Sequence, residues 1–223
     1  MNSTSETGPD AYEPRSARFG RLTVRFDGHV LEPRPWTLAQ SAWAAELLAA
    51  APGGHVLELF AGVGHIGLAA VAQTTRSLVQ VDLNPAACTW ARLNAHAAGL
   101  RARVEVREGS IDEAVGRDER FAVIIADPPW VPSAQIGQFP EDPSIAIDGG
   151  GDGLVLAKAA CQVIERHLAD GGSAVLQIGT TAQVAQLSDS LGAEGSSLYV
   201  AETRAFERGV LALLRHDDRP PRD

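Results

Sequence analysis

Asp127-Pro128-Pro129-Trp130 is the stretch whose residue types and spacing most directly suggest chemistry. It follows the apolar run Phe121–Ala126, which reads as a buried strand. Proline fixes φ and has no N–H, so the backbone there cannot enter a helix and its carbonyls stay available as acceptors. Asp127 adds acceptor oxygens and Trp130 a flat face for stacking. Such a cradle at a strand's carboxyl end suits a planar group carrying an NH2, at the edge where α/β sheets bind ligands. The plain alternative is that two prolines simply stop a strand.

A second constellation is Glu58-Leu-Phe-Ala-Gly62-Val-Gly64-His-Ile-Gly67, between an expected strand and an expected helix. Gly62 and Gly64 permit a tight turn and a close ligand approach, and Gly67 permits close helix packing. Asp82 ends the next strand, where a carboxylate can bind ribose hydroxyls. The pattern Gly62-x-Gly64-x-x-Gly67 is also the dinucleotide fingerprint, so the loop alone fits a nicotinamide cofactor or S-adenosylmethionine. Glu58 ahead of the glycines suits the amino group of a methionine moiety better than a pyrophosphate. The residues ahead of the loop, and the cradle on the same crevice, favour S-adenosylmethionine as well. Ser110 sits at the end of the third strand, where a hydroxyl or backbone contact to adenine is expected. His65, one residue after Gly64, reads equally as a catalytic group and as a helix start.

These residues need a frame, and hydrophobic periodicity supplies it. Arg21–Phe26, the Asp27-Gly28 turn and His29–Leu31 are expected to form a β-hairpin. A helix follows, with Thr37 as N-cap. Strands at 55–60, 78–82, 104–107, 121–126 and 173–178 then alternate with helices at 64–73, 85–98, 152–168 and 181–191. Asn84-Pro85 starts the second of these helices and Gly99 stops it. Strands at 198–203 and 209–215 close the chain as an antiparallel hairpin. The fold class is thus α/β: a Rossmann-like, seven-stranded, mostly parallel sheet with helices on both faces. Residues 1–17 and 217–223 are expected as disordered tails around a single domain at 18–216, with 18–52 forming an amino-terminal cap. The segment 131–151, with Pro132, Pro140 and Pro143, is expected to wall or cover the acceptor pocket. Gly149-Gly150-Gly151 reads as its hinge or as a turn.

Composition bounds the partners. The 223 residues are 45% hydrophobic, enough for one sizeable core. The net charge of −9 opposes non-specific nucleic-acid binding. Neither a signal peptide nor a membrane span is legible, so a cytoplasmic location is the expectation. Cys88 and Cys161 lie far apart and suggest neither disulfide nor zinc site, and no metal is expected.

With these residues in view, the chain resembles class I S-adenosylmethionine-dependent methyltransferases, and more narrowly the release-factor glutamine methyltransferases and their small-domain relatives. His29-Val-Leu-Glu-Pro-Arg-Pro-Trp-Thr37 is similar to that family's V-L-I-P-R-P-E-T segment, and Glu58–Gly64 to its cofactor loop. Asp127-Pro-Pro-Trp-Val-Pro-Ser133 is similar to N-P-P-Y-I-P-S, and Ala146–Leu154 to A-L-D-G-G-x-D-G-L. The resemblance implies cofactor contacts from Glu58, Phe60, Ala61, Gly62, Gly64, Asp82, Leu83, Ser110, Ile111 and Asp127, with Arg34 and Thr37 reaching in from the preceding segment. It implies catalytic work for Asp127, Pro128, Pro129 and Trp130, and acceptor contacts from Trp36, Trp130, Val131 and Pro132. The departures fall where the acceptor is read: Asp127 stands for Asn, Trp130 for Tyr and Trp36 for Glu. The family's helical substrate domain has no counterpart in the short stretch ahead of the hairpin. The implied activity is N-methylation of a planar amide or amine, on a small metabolite or a protein glutamine. A nucleic-acid base amine, a small-molecule O-acceptor and, in another class, a nicotinamide-dependent oxidoreductase are the alternatives.

Overall fold

The computed structural model describes residues 13–217. The hairpin forms one strand earlier than the sequence pattern suggests. β1 (Arg15–Phe19) and β2 (Leu22–Phe26) pair antiparallel around Gly20-Arg21, with Gly20 at φ +57°. Phe19 and Phe26 are both buried, and that shared burial selects β1, not His29–Leu31, as the partner of β2. Asp27-Gly28 is a local turn only: Asp27 Oδ1 accepts from the His29 N–H at 3.0 Å. The tail expected at 1–17 is therefore a strand from Arg15 onward. The rest of that expectation, residues 1–12, and the tail at 218–223 lie outside the described residues.

Pro35–Thr37 forms a 3-10 turn into α1 (Leu38–Ala50). Thr37 makes no side-chain cap; its Oγ1 donates back to the Arg34 carbonyl at 2.8 Å. The repeating unit then begins: β3 (His55–Leu59), α2 (His65–Val71), β4 (Leu78–Asp82), α3 (Pro85–Ala97) and β5 (Val104–Glu108). The Asn84 side chain caps α3 by accepting from the Ala86 N–H, and Gly99 terminates it at φ +71°. β6 (Phe121–Ala126) leads into the cradle, and the short helix α4 (Ser144–Ile147) lies in the long segment after it. α5 (Val155–His167), β7 (Leu168–Ile178), α6 (Thr181–Ala193), β8 (Leu198–Ala205) and β9 (Val210–His216) complete the fold. α5 starts three residues later than expected, because Asp152 Oδ1 ties the Leu154 N–H into a turn in which Gly153 has φ +74°.

The seven-stranded sheet has the order β5-β4-β3-β6-β7-β9-β8, and β9 alone runs antiparallel to its neighbours. One face packs against the hairpin, α1, α2 and α3; the other packs against α5 and α6. β6 is buried along its whole length, with Val123 and Ile125 in one core and Phe121, Ile124 and Ala126 in the other. Each large apolar side chain contributes roughly 1.5–3 kcal/mol by leaving water, which makes β6 a rigid mount for the cradle at its carboxyl end. Strand order reverses between β3 and β6, and ligands of open α/β sheets bind at such a switch point.

Candidate active site

A cavity of about 320 Å³ opens at that switch point, over the carboxyl ends of β3, β4, β5 and β6. Its floor is the β3–α2 loop. Phe60 carries positive φ (+57°), rare for a non-glycine residue, and with Ala61 and Gly62 lines the cavity. Asp82 holds this loop: Oδ2 accepts from the Gly62 N–H at 2.7 Å and Oδ1 from the Asn84 N–H at 2.8 Å. Burial raises the Asp82 carboxyl despite those bonds. Leu83, Ser110 and Ile111 line the same wall.

Glu58 is placed differently from the expectation. Its carboxylate turns away from the cavity, accepting from the Gly67 N–H (3.0 Å) and from Gln80 Nε2 (2.6 Å). Gln80 Nε2 also donates to the Gly64 carbonyl at 2.9 Å. Gly64 thus serves the cavity from below and is not on its wall. A Cβ on Gly67 would sit 2.3 Å from Glu58 Oε2, so the third glycine of the motif makes room for this carboxylate. Burial pushes the Glu58 carboxyl up to about 7, against the bonds from Gln80 and Gly67 and with help from the charges of Asp127 and Asp82.

Asp127 and Pro129 reach the cavity from β6. No protein hydrogen bond holds the Asp127 carboxyl among the described residues, and desolvation pushes it up to about 7. Pro128 is buried and lies off the cavity wall, as does the half-buried Trp130. The Trp130 ring lies across Gly179, at the end of β7, where an added Cβ would meet its edge at 2.4 Å. Gln183 Nε2 donates to the Trp130 carbonyl at 3.1 Å.

The segment 131–151 covers one side of the cavity, through Pro143, Ile145 and Ala146. It is anchored and not a free flap. Val131 pairs with Asp148, and Ser133 Oγ donates to Asp148 Oδ1 at 2.7 Å. The glycine run serves as a tight support: a Cβ on Gly149 would meet the Pro129 carbonyl at 2.7 Å and Trp130 Cα at 2.8 Å. That favours the turn reading over the hinge. Val131 and Pro132 are held in this clasp, off the cavity wall. Across the mouth, Arg34 forms an ion pair with Asp142, joining the amino-terminal segment to this cover. Arg34 and Thr37 both line the cavity, while Trp36 lies outside it between the guanidinium groups of Arg34 and Arg208 (5.7 and 5.3 Å to the ring).

His65 is both helix start and wall residue. It pairs loosely with Thr37 Oγ1 (3.4 Å), and burial pushes it down to about 3, so it is a neutral ring. Local sequence offered no signal for Asp142, Ile145 and Ala146 as cover residues beyond the length of their loop. A larger open groove, about 470 Å³, lies at the opposite, amino ends of the strands. Of its lining arginines, Arg107 is already bound by Glu105 and Glu119, and none of the cradle or loop residues reaches the groove.

Known proteins bear the architecture out. The ribosomal protein L11 methylase of Lactobacillus delbrueckii subsp. bulgaricus shares the fold, with a TM-score of 0.63 at 16% identity over 86% of this chain and 83% of that one. A family model described as conserved hypothetical protein 95 matches residues 39–140. The release factor glutamine methyltransferase of Deinococcus radiodurans is 30% identical over 196 residues, 78% of this chain and 69% of that protein. That of Cereibacter sphaeroides is 33% identical over 155 residues, 67% of this chain and 54% of that protein. Sheet order and relatives together define the fold of the class I S-adenosylmethionine-dependent methyltransferases. Within that class, the chain belongs to the release factor glutamine methyltransferase family. It spans about half the length of several curated relatives it matches.

Proposed function

We propose that this chain holds S-adenosylmethionine in the cavity and transfers its methyl group to the side-chain amide nitrogen of a protein glutamine presented at Asp127-Pro128-Pro129-Trp130. The observation that carries this reading is the free, desolvated Asp127 carboxyl, in the same cavity wall as Gly62 and Asp82. The residues present fit the cofactor. The cavity lies within the usual ligand range of roughly 300–1,000 Å³. An added Cβ on Gly62 would meet nothing within 4 Å, so bare backbone is offered to the ligand. The half-buried Asp82 stands at the end of β4 with lone pairs beyond its two backbone bonds.

Bound there, the cofactor supplies an electrophilic sulfonium methyl. The protein's part is alignment and exclusion of water. Held by Gly62, Asp82 and Asp127, the cofactor would supply the methyl carbon to the acceptor nitrogen, its sulfur keeping the C–S bonding pair. Asp127 accepts a hydrogen bond from the nitrogen, favours positive charge on it in the transition state, and takes its proton when ionised. The proton then passes to water. With its carboxyl near 7, Asp127 gains this capacity as pH rises through neutrality.

One observation favours a second acceptor. An ionised Asp127 only accepts, so it cannot donate to an amide carbonyl as Asn does, and it suits a small, strongly donating amine. Methyl-labelled S-adenosylmethionine, incubated with protein and with small-metabolite fractions, separates the two. Label in glutamine of a protein band, lost with Asp127→Ala, supports the protein acceptor. Label confined to a small amine replaces it. Absence of label in every fraction, despite cofactor binding, rejects catalysis.

A further inference from the structure

Gln40 is fully buried on α1, a helix outside the cavity, and its side chain does something unusual for a helical glutamine. Its Nε2 donates to the Ala126 carbonyl at 2.9 Å and to the Val175 carbonyl at 3.1 Å. Ala126 is the last residue of β6, directly before Asp127. Val175 belongs to β7, four residues before the Gly179 on which the Trp130 ring rests. Beyond Asp127, Pro128 and Pro129 bring no N–H to a ladder. One side-chain amide therefore supplies a donor to the last carbonyl of β6, where the following prolines bring none, and a second donor to a carbonyl inside β7; a buried carbonyl left without a donor is costly. The same amide fixes the separation of the strand that carries Asp127 from the strand that supports Trp130. Among the described residues Gln40 Oε1 is buried without a partner, so the side chain is held there by its donors.

We infer that Gln40 is a positioning residue for the methyl-transfer cradle, acting through the end of β6 and the neighbouring β7. This rests on the function proposed above, but its geometric core can be tested apart from it. The test compares the full chain with Gln40→Met, of similar length without donors, by hydrogen–deuterium exchange with and without S-adenosylhomocysteine. Exchange should accelerate at Ala126, Asp127, Trp130 and Val131 and stay unchanged at Gly62–Gly67. Affinity for S-adenosylhomocysteine should stay within about threefold, while kcat for the labelled acceptor falls about tenfold or more, as expected when reacting groups are misplaced. Gln40→Glu keeps the shape with at most one donor and should show part of the pattern; wild-type behaviour would reduce Gln40 to packing. If Gln40→Met does not fold, Gln40→Asn, with both donors but a shorter reach, should show the same pattern at smaller amplitude. Unchanged exchange at 126–131, or a uniform rise across the domain with ligand affinity falling in step, overturns the inference. Failure of the wild-type chain to methylate anything would sink the proposed function, and the exchange result would still decide the role of Gln40.

Discussion

On the β3–β4 side of the cavity the buried polar groups largely satisfy one another; on the β6–β7 side they do not. Asp82 spends both oxygens on backbone N–H groups of its own loops, and beneath it Glu58 accepts from Gln80 and Gly67 while Gln80 also donates to Gly64, with Gln80 Oε1 left without a partner among the described residues. Across the cavity, the Asp127 carboxyl has no protein hydrogen bond among the described residues and is raised to about 7. The first side is preorganised by backbone and takes a shape that many cofactor-binding sheets share. In the function proposed here, the second keeps a desolvated group in reserve for an incoming donor and carries the specificity.

If that contrast holds, damage to the two sides should separate. The largest effect belongs to Gly67→Ala, whose methyl would collide with Glu58 and press on Leu78. It should cost about 3 kcal/mol or more in denaturant unfolding, because overpacking here also displaces a buried carboxylate. Asp127→Ala should do the reverse: turnover drops about a hundredfold while S-adenosylhomocysteine affinity, read by calorimetry, changes little. Equal losses in both would erase the distinction between the two sides.

A smaller effect tests the cover. Asp142→Asn breaks the partly buried pair with Arg34, whose side chains are 12% and 26% exposed. The dissociation rate of S-adenosylhomocysteine, followed by stopped flow, should rise about fivefold, consistent with roughly 1 kcal/mol for such a pair. An unchanged rate would mean that Val131–Asp148 and the glycine clasp hold the cover alone. The subtlest test is pH. Asp127 has a folded value of about 7 against 3.8 for an ordinary carboxyl, so the folded state binds a proton that the unfolded state has released. The stability this proton supplies is complete below about pH 4 and is lost as pH rises through about 7. Asp127→Asn removes that loss, so its Tm should gain on the wild type between those limits. A flat difference would mean that a partner already compensates the charge.

The legible parts of the molecule are those with local causes. Asn84-Pro85 and Gly99 bracket α3 because capping and φ preference act over a few residues. Phe121–Ala126 reads as a doubly buried strand because its composition leaves no solvent face. The glycines of the β3–α2 loop and Asp82 are recognisable because their spacing follows the turn itself. The structure departs from the local pattern where a partner far along the chain decides. Asp27-Gly28 carries a hairpin signal, yet Phe19 offers β2 a better buried mate. Glu58 has the right address for a cofactor contact, yet Gly67 and Gln80 draw its carboxylate inward.

By itself, then, the sequence determined the order of elements, the parallel sheet with its reversed last strand, and the two motifs that meet at the switch point. Periodicity, capping and turn chemistry are all short-range. Only the tertiary structure decided which way each buried polar side chain faces, that Arg34 closes on Asp142, and that Gln40 bridges the end of β6 to β7. Those outcomes depend on pairing desolvated groups brought together from distant segments, and no local pattern encodes such a pairing.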